Sequence, residues 1–334
     1  MKHLFVINPP SFPVQAAQDK VVKRIQDYFA DTNKENFSIL ISRYSRDAIA
    51  LVRKWIEKNR CDDTVRVYAV GGDGILFDCL NGIVGLPNTE LAAIPYGTSN
   101  DFVRAFGENK KNLFRDIASM ASSPSIPTDI IHCGNNYAIN FCSLGLESDG
   151  IRSSVELYNQ ASQRIKKYQW LNSFLYSTVP YIISIRTVFN KKILNQHYTI
   201  NLDGEDFSGV YSSINLANGP CYGGNMNPVI TAMPDDGVLD GLFCLCTSGI
   251  KALRIIPGFV KGGFLEYPKY FLWKRFKTIE IRSEDPLLVV LDGEMFFDTY
   301  LKVEIVPKAI NFVAPGGIGY LKRMKTDEKL RYFQ

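Results

Sequence analysis

The chain has 334 residues, of which 46% are hydrophobic and 22% are charged, a composition typical of a folded globular protein with one large or two ordinary domains. Its net charge is only +4, and it lacks the dense basic clusters of a nucleic-acid-binding protein, so we expect no nucleic-acid partner. It also lacks a run of about 18 uninterrupted apolar residues, so the sequence predicts no membrane-spanning helix.

The first part of the chain alternates strands with helices. Short apolar runs predict strands at 3–7, 37–41, 65–70 and 91–95, and helical spacing of apolar residues predicts helices at 15–29, 45–58, 75–80 and 101–106. Such alternation is the signature of a parallel sheet covered by helices. The sequence therefore predicts an α/β domain at the N-terminus.

The pattern changes after about residue 122. The stretch SSPSIPTD (122–129) reads as a linker, and short alternating strands with turns follow, with one helical segment at 153–190. These strands predict a mainly antiparallel β-sandwich. We therefore place an α/β domain at 1–125, to which residues 310–334 return, and a β-sandwich domain at 126–309.

An apolar run at 170–189 stands out within the helical segment, although Pro180 and Arg186 interrupt it. One interpretation is a kinked helix that packs on the sheet. The other is a wall that contacts an apolar substrate.

Seven cysteines are present, without a Cys-x-x-Cys pair. An odd number in a chain of this length favours reduced, mostly buried thiols and a cytoplasmic location. The N-terminal MKHLFVINPPSFP is interrupted by proline too early for a signal peptide.

The sequence VRVYAVGGDGILFDCLNG (65–82) joins a buried strand to a helix through Gly71, Gly72, Asp73 and Gly74. Glycines let the backbone approach a ligand closely, and the N–H groups at a helix N-terminus attract anions. This stretch is therefore either a phosphate-binding loop or an ordinary tight turn between a strand and a helix.

A second loop, Gly97-Thr98-Ser99-Asn100-Asp101, repeats this arrangement after the next strand. The Thr98 hydroxyl is a candidate donor to a phosphate, and Asn100 either holds the loop or contacts the ligand. As an alternative, Ser99 and Asn100 only cap the following helix. Loops after neighbouring parallel strands open on the same sheet edge, where α/β proteins bind ligands, so the pair favours a nucleotide site.

Four motifs occur in an order that resembles the diacylglycerol kinase catalytic family: GGDG (71–74), GTSNDF (97–102), PDDGVLDG (234–241) and LDGE (291–294). This family includes bacterial lipid kinases and sphingosine kinases and is related in fold to NAD kinases. The resemblance extends from NPPS (8–11) to the strands near residue 313. It implies two domains with ATP, accompanied by Mg²⁺, in the cleft between them.

The resemblance also implies roles for individual residues. Gly71 to Gly74 and Thr98 match positions that hold nucleotide phosphates, and Ser42 matches a threonine near the nucleotide. Glu294 matches the catalytic carboxylate, with Asp292 beside it.

A metal position is implied in the DDGxLD loop of the same family. Here it corresponds to Asp236 with the backbone oxygens of Met233 and Val238. The same residues are also consistent with a carboxylate-rich turn that binds no metal.

Three departures from the family pattern concern the nucleotide loops. Ile75 stands where a threonine is usual, Phe77 replaces an asparagine, and Asp78 replaces a glutamate. In addition, the N-terminal NPxSG pattern appears as NPPSF, without its glycine. These changes concern the contacts to the nucleotide more than the class of reaction.

The tetrapeptide Leu-Asp-Gly-Glu occurs twice, at 202–205 and at 291–294. Either copy is explained by a simple hairpin turn, because Asp-Gly between strands is a common turn signal. The residues alone do not choose between Glu205 and Glu294 as the proton acceptor. The family order favours Glu294.

The sequence thus predicts an ATP-dependent kinase that phosphorylates a hydroxyl of diacylglycerol or a related lipid at a membrane surface. The alternatives are a kinase of the same fold for a sphingoid base or a soluble substrate, and a catalytically weak protein that binds nucleotide or lipid. The expected location is cytoplasmic with transient peripheral membrane association. A homodimer is left open.

Overall fold

The computed structural model describes residues 1–11, 15–31, 36–59, 62–107, 111–165, 189–223 and 226–316. The helices in these ranges are α1 (Gln15–Asp31), α2 (Asp47–Lys58), α3 (Asp73–Ile83), α4 (Asp101–Arg104), α5 (Lys111–Arg115), α6 (Ile117–Ser122), α7 (Leu146–Ile165), α8 (Lys191–Leu194) and α9 (Gly249–Val260). None of these described helices is long and apolar enough to cross a membrane.

The strands are β1 (Lys2–Ile7), β2 (Phe37–Ile41), β3 (Val65–Gly71), β4 (Thr89–Pro95), β5 (Ser125–Cys133), β6 (Asn136–Ala138), β7 (Phe141–Gly145), β8 (His197–Leu202), β9 (Glu205–Asp206), β10 (Gly209–Val210), β11 (Ser213–Ala217), β12 (Leu239–Cys244), β13 (Phe271–Phe276), β14 (Thr278–Leu291) and β15 (Glu294–Val313).

The N-terminal part is a parallel sheet with the strand order β2, β1, β3, β4. Strand β3 is buried along its whole length, as expected for a strand in a parallel sheet that helices cover. Helix α1 buries Val21, Ile25 and Phe29, which lie on one face because they are four residues apart. The predicted α/β domain with parallel strands is confirmed.

The C-terminal part contains two antiparallel layers. One layer consists of β13, β12, β11 and β7, and the other contains β8, β15 and β5. Strand β14 belongs to both, because its first residues pair with β8 and its last residues pair with β7, with a register shift between Arg282 and Leu287. Apolar side chains of both layers, such as Phe243 and Val303, share one core. The predicted β-sandwich is therefore also confirmed.

The segment predicted as a linker is largely a strand. Residues 125–129 belong to β5, and residues 125–128 pair with β15. Asp129 is fully buried and accepts hydrogen bonds from the backbone N–H groups of Gly237 and Lys308. These long-range bonds hold a serine- and proline-rich stretch in the sheet, which local composition does not reveal.

The prediction of a single helical segment in the C-terminal part is wrong. Helix α7 begins at Leu146, earlier than expected, and α9 is a second long helix. Its buried Ala252 and Ile255 follow helical spacing, although proline, which occurs here at position 257, is unfavourable in a helix interior. Residues 170–188 lie outside the described residues, so both interpretations of the apolar run stay open.

Strand β15 runs from the sandwich into the parallel sheet. Asn311 and Phe312 pair in parallel with Glu90 and Leu91 of β4, so the chain returns to the N-terminal sheet at residues 311–312. The sheet is continuous across both parts. The domain limits therefore stay a prediction, because no break in the hydrogen bonding marks them.

The six cysteines in the described ranges are free and buried. This agrees with the prediction of reduced, buried thiols.

Candidate active site

The carboxyl ends of the four parallel strands lie at one edge of the sheet. Ser42, just after β2, is buried and donates its hydroxyl to the Ile7 carbonyl at 3.2 Å. The backbone N–H groups of Tyr96 and Gly97 donate to the Gly71 carbonyl at 2.8 and 2.9 Å. These bonds tie the ends of neighbouring strands together, as expected at the edge where α/β sheets bind ligands.

The two glycine loops are in backbone contact. A Cβ atom added to Gly97 would lie 2.3 Å from the Gly72 Cα atom, so no side chain fits between the loops. Helix α3 starts directly after Gly72, without a side-chain hydrogen bond at its N-cap. Its first N–H groups are therefore suited to binding an anion, which fits nucleotide phosphates.

Replacing Gly97 by alanine should push the two loops apart, because the new methyl group meets backbone that has no flexible end to move. We expect the free energy of unfolding to fall by about 1–3 kcal/mol, as in other overpacked sites, and the affinity for ATP to fall as well. Calorimetric titration with ATP and thermal unfolding measure both. Gly74→Ala is the control for stability, because its methyl group makes only an ordinary contact at 3.9 Å with Glu294. Unchanged ATP affinity in Gly97→Ala would contradict the expectation.

Asp73 connects the first loop to the second. Its carboxylate accepts a hydrogen bond of 2.7 Å from the backbone N–H of Asp101 at the start of α4. Burial raises the pKa of Asp73, whereas this bond and other backbone N–H groups favour its charged form. Asp73 therefore organises the loops.

The two polar side chains of the second loop have different positions. Asn100 is buried at φ 52° and donates its amide to the Gly97 carbonyl at 2.6 Å, so it holds the loop rather than capping α4 through its side chain. Thr98 is exposed at the loop tip. A ligand can therefore reach this residue from solvent.

Asp292 and Glu294 lie in the turn between β14 and β15. Asp292 has φ 49°, Gly293 has φ 95°, and the Asp292 carboxylate accepts backbone N–H bonds from Ile139, Asn140 and Phe141 at 2.7, 3.1 and 2.8 Å. Burial raises the pKa of Asp292 to about 7, and the charge of Asp73 adds to this, while the N–H bonds oppose it. With both oxygens engaged, Asp292 is better suited to positioning the turn than to accepting a proton.

Glu294 points towards the first turn of α3. Its Oε1 atom is 3.9 Å from the position of a Cβ added to Gly74, and its Oε2 atom is 3.9 Å from Arg46 Nη1. Burial raises the pKa of Asp78 in α3 to about 6, and the charge of Glu294 contributes. The structure thus brings together the first glycine loop and a carboxylate from the sandwich.

The second copy of the tetrapeptide forms the same kind of turn elsewhere. Asp203 has φ 50° and Gly204 has φ 94°, but Asp203 is exposed and accepts the backbone N–H groups of Lys277 and Thr278. Glu205 is exposed as well. This copy therefore behaves as a surface hairpin.

The loop that was predicted to bind a metal lies against an arginine of a neighbouring strand. Arg275 of β13 pairs with the Asp236 carboxylate, and its Nε atom lies 3.5 Å from Asp240 Oδ2. Asp240 is fully buried and also accepts hydrogen bonds from Thr231 and Trp273 at 2.6 and 2.8 Å. Because a guanidinium already supplies the positive charge, Asp236 with Met233 and Val238 does not fit a bound divalent metal.

Elsewhere in the described ranges, no group of three or more His, Cys, Asp or Glu residues could hold a metal ion. An ion that is carried by nucleotide phosphates needs fewer protein ligands.

Replacing Arg275 by glutamine should destabilise the fold, because it leaves the buried Asp240 charge without its cation. We expect a loss of about 1–3 kcal/mol, less than for a fully buried pair because Arg275 is 27% exposed. Thermal unfolding of the wild type without nucleotide should be the same in MgCl₂ and in EDTA. A fall in Tm with EDTA would show that a metal, not Arg275, holds the loop.

Sequence reasoning missed two residues of the site, Arg46 and Asp78. Arg46 precedes α2 and lies over the ring of Phe77, with 5.0 Å from Cζ to the ring centroid. Asp78 was noted only as a departure from a pattern. No local signal identifies either residue, because their neighbours come from distant parts of the chain.

Comparisons with protein-family models cover most of the chain. Residues 2–133 match the diacylglycerol kinase catalytic domain, and residues 159–314 match the YegS C-terminal NAD kinase beta sandwich-like domain. Two relatives, each named "Putative lipid kinase", come from Staphylococcus aureus strains Mu3 and Newman. Each is 27% identical over 287 residues, which is 84% of this chain and 87% of the relative.

Two crystal structures of proteins from Bacillus anthracis strain Sterne have the same fold. One, described as a "putative diacylglycerol kinase", has a TM-score of 0.70 and 24% identity over 94% of this chain and 98% of its own. The other, described as a diacylglycerol kinase, has a TM-score of 0.67 and 20% identity over 94% of this chain and 97% of its own. At this level of identity the likeness establishes the fold alone.

Proposed function

The chain belongs to the diacylglycerol kinase catalytic family, and on that premise we propose that it is an ATP-dependent lipid kinase. It transfers the γ-phosphoryl group to a hydroxyl of diacylglycerol or a related lipid. Two observations at one edge of the sheet support this proposal. The two glycine loops are in backbone contact at Gly72 and Gly97, and the carboxylate of Glu294 lies beside the first turn of α3.

Phosphoryl transfer demands positioning and charge stabilisation rather than covalent chemistry by the protein. ATP, with the Mg²⁺ that accompanies it, supplies the phosphoryl group and part of the neutralising charge. The N–H groups at the start of α3 and around Gly71 to Gly74 bind phosphate oxygens. The exposed Thr98 hydroxyl donates a further hydrogen bond.

Glu294 is the proposed acceptor of the proton from the lipid hydroxyl. It is 31% exposed, so an acceptor that enters from solvent can reach it. Asp292, with its three backbone N–H bonds, fixes the turn that carries Glu294. General-base catalysis requires this kind of held carboxylate within reach of the hydroxyl.

Docking at a membrane surface is part of the proposal, because the lipid substrate resides there. Three exposed apolar side chains follow Glu294 on β15, namely Met295, Phe297 and Tyr300, with exposed fractions of 38%, 60% and 42%. Apolar side chains next to a site support peripheral association with the bilayer interface.

A second candidate function is nucleotide binding with little or no transfer. Ile75 and Phe77 stand where the family pattern has a threonine and an asparagine, and both are buried, with 2% and 1% of their surfaces exposed. Neither presents a polar group to phosphates. This observation favours weak catalysis, and a sphingoid base or a soluble acceptor is the alternative within the kinase class.

Incubation with γ-labelled ATP, Mg²⁺ and mixed lipid vesicles tests the proposal. Label that enters the organic phase with diacylglycerol-containing vesicles supports the proposed function. Label that enters the organic phase only when a sphingoid base is present would identify that base as the substrate. Label in a water-soluble product points to a soluble acceptor. ATP binding without transfer to any acceptor would favour the second candidate.

A further inference from the structure

The backbone of Arg46 adopts a conformation that is unusual for a side-chain-bearing residue. Its φ is 66° and its ψ is 4°, in the left-handed region, directly before α2. A residue with a Cβ atom is strained in this conformation relative to glycine. Burial raises the pKa of the nearby Asp78 carboxyl, whereas the charge and the backbone N–H of Arg46 lower it. Strain of this kind is a reason to look for a function of the side chain.

The Arg46 guanidinium joins elements from both parts of the molecule. It lies over the Phe77 ring of α3, and it donates a hydrogen bond of 2.6 Å to the Asn136 side chain at the start of β6. Its Nη1 atom is 3.9 Å from Glu294 Oε2, which is an ionic contact longer than a hydrogen bond. Arg46 therefore lies next to the candidate proton acceptor without being locked to it.

An anionic ligand at this point needs a positive charge. Ile75 offers no hydroxyl, and Arg275 is engaged with Asp236. A guanidinium has five N–H donors, and the Asn136 bond uses one of them. Its planar fork matches phosphate oxygens, and it is partly accessible, with 40% of the side chain exposed.

We propose that Arg46 is a catalytic residue that binds the transferred phosphoryl group and stabilises its charge during transfer. The inference rests on the proposed function. The lipid hydroxyl oxygen forms the new bond to the γ-phosphorus, the bond from that phosphorus to the bridging oxygen of ADP breaks, and the hydroxyl proton passes to Glu294. Arg46 keeps its proton throughout and turns from Glu294 to the phosphoryl oxygens.

Arg46→Gly is the most informative variant, because glycine adopts the left-handed conformation without strain. We expect its Tm to equal or exceed that of the wild type, while the rate of lipid phosphorylation falls about 10²–10³-fold, as for the loss of one charge-stabilising donor. Arg46→Lys keeps the charge without the planar fork, so its rate of lipid phosphorylation should lie between those of Arg46→Gly and the wild type. Guanidinium chloride added to Arg46→Gly should restore part of the rate.

Arg282 provides a matched control on the surface. It also lies over an aromatic ring, Tyr300 at 4.9 Å, and pairs with a glutamate, Glu280 at 4.0 Å. Arg282→Gly should therefore retain the rate of transfer. Calorimetric titration adds a readout independent of turnover: Arg46→Gly should lose the preference for ATP over ADP and keep the wild-type affinity for ADP.

A wild-type rate in Arg46→Gly, or an unchanged ratio of ATP to ADP affinity, would overturn the role of Arg46 while leaving the kinase assignment intact. The same incubation measures the label transferred to lipid and the label transferred to water-soluble products. If the wild type transfers label to neither, the proposed function fails, and this inference fails with it.

Discussion

Replacing Glu294 by glutamine should lower the turnover number for lipid phosphorylation by about 10²–10⁴-fold, the usual contribution of a general base. The amide cannot accept the proton of the lipid hydroxyl, although it has nearly the same shape. Because Glu294 lies beside α3 rather than in the glycine loops, the affinity for ATP should change little. Labelled transfer and calorimetric titration with ATP measure the two effects.

Glu205→Gln is the internal control for this prediction. The two glutamates end identical tetrapeptides in hairpin turns with the same backbone conformation. Glu205 is exposed next to Asp206 at the start of a surface strand, so its loss should leave the turnover number unchanged. If Glu205→Gln loses transfer and Glu294→Gln retains it, the assignment of the proton acceptor is wrong.

Replacing Asp292 by alanine should produce the largest loss of stability among these variants. Asp292 is 7% exposed, and three backbone N–H groups donate to its carboxylate. Removing the acceptor leaves these donors buried without partners, at about 1–3 kcal/mol each before relaxation. We expect the free energy of unfolding to fall by about 3–5 kcal/mol, as measured by urea denaturation.

Two further variants separate the causes. Asp292→Asn keeps one acceptor oxygen but turns an NH₂ group towards a backbone donor. Its free energy of unfolding should therefore lie between those of the wild type and Asp292→Ala. Asp203→Ala removes the equivalent carboxylate from an exposed turn, where water replaces it, and should cost less than about 1 kcal/mol. Equal losses in Asp292→Ala and Asp203→Ala would mean that the turn conformation, not burial of the N–H groups, sets the effect.

Asp292 also illustrates how stability and the site are linked. Its three donors belong to residues 139–141, at the entry to β7, while the turn that it anchors carries Glu294. A variant without this anchor should therefore also lose transfer. Glu294→Gln should lose transfer with an unchanged free energy of unfolding, which distinguishes the two carboxylates.

Much of this protein is determined by the local sequence. The parallel strands and the helices between them follow from the periodicity of apolar residues, because a buried strand and an amphipathic helix each need a regular pattern. Both glycine loops follow from glycine itself, as at Gly97, where no other residue fits against Gly72. The order of the four motifs identified the family.

Other features were decided only by tertiary structure. The composition of residues 125–129 predicts a linker, yet these residues belong to a strand. The buried Asp129 carboxylate holds them there by accepting hydrogen bonds from the backbone N–H groups of Gly237 and Lys308. The family resemblance implies that Asp236 is a metal ligand, but in the folded chain it forms an ion pair with Arg275 of β13. In both cases the deciding partner is distant in sequence, so no local pattern contains it.

Arg46 is the clearest example of this limit. Its sequence context, Ser45-Arg46-Asp47 before an amphipathic helix, indicates nothing more than a helix start. Only the folded chain places its guanidinium between Phe77, Asn136 and Glu294. The local sequence determines the elements of the parallel sheet, since their apolar patterns depend on neighbouring residues. The side chains that meet at the site are determined by the packing of β15 and β6 against the helices of the parallel sheet.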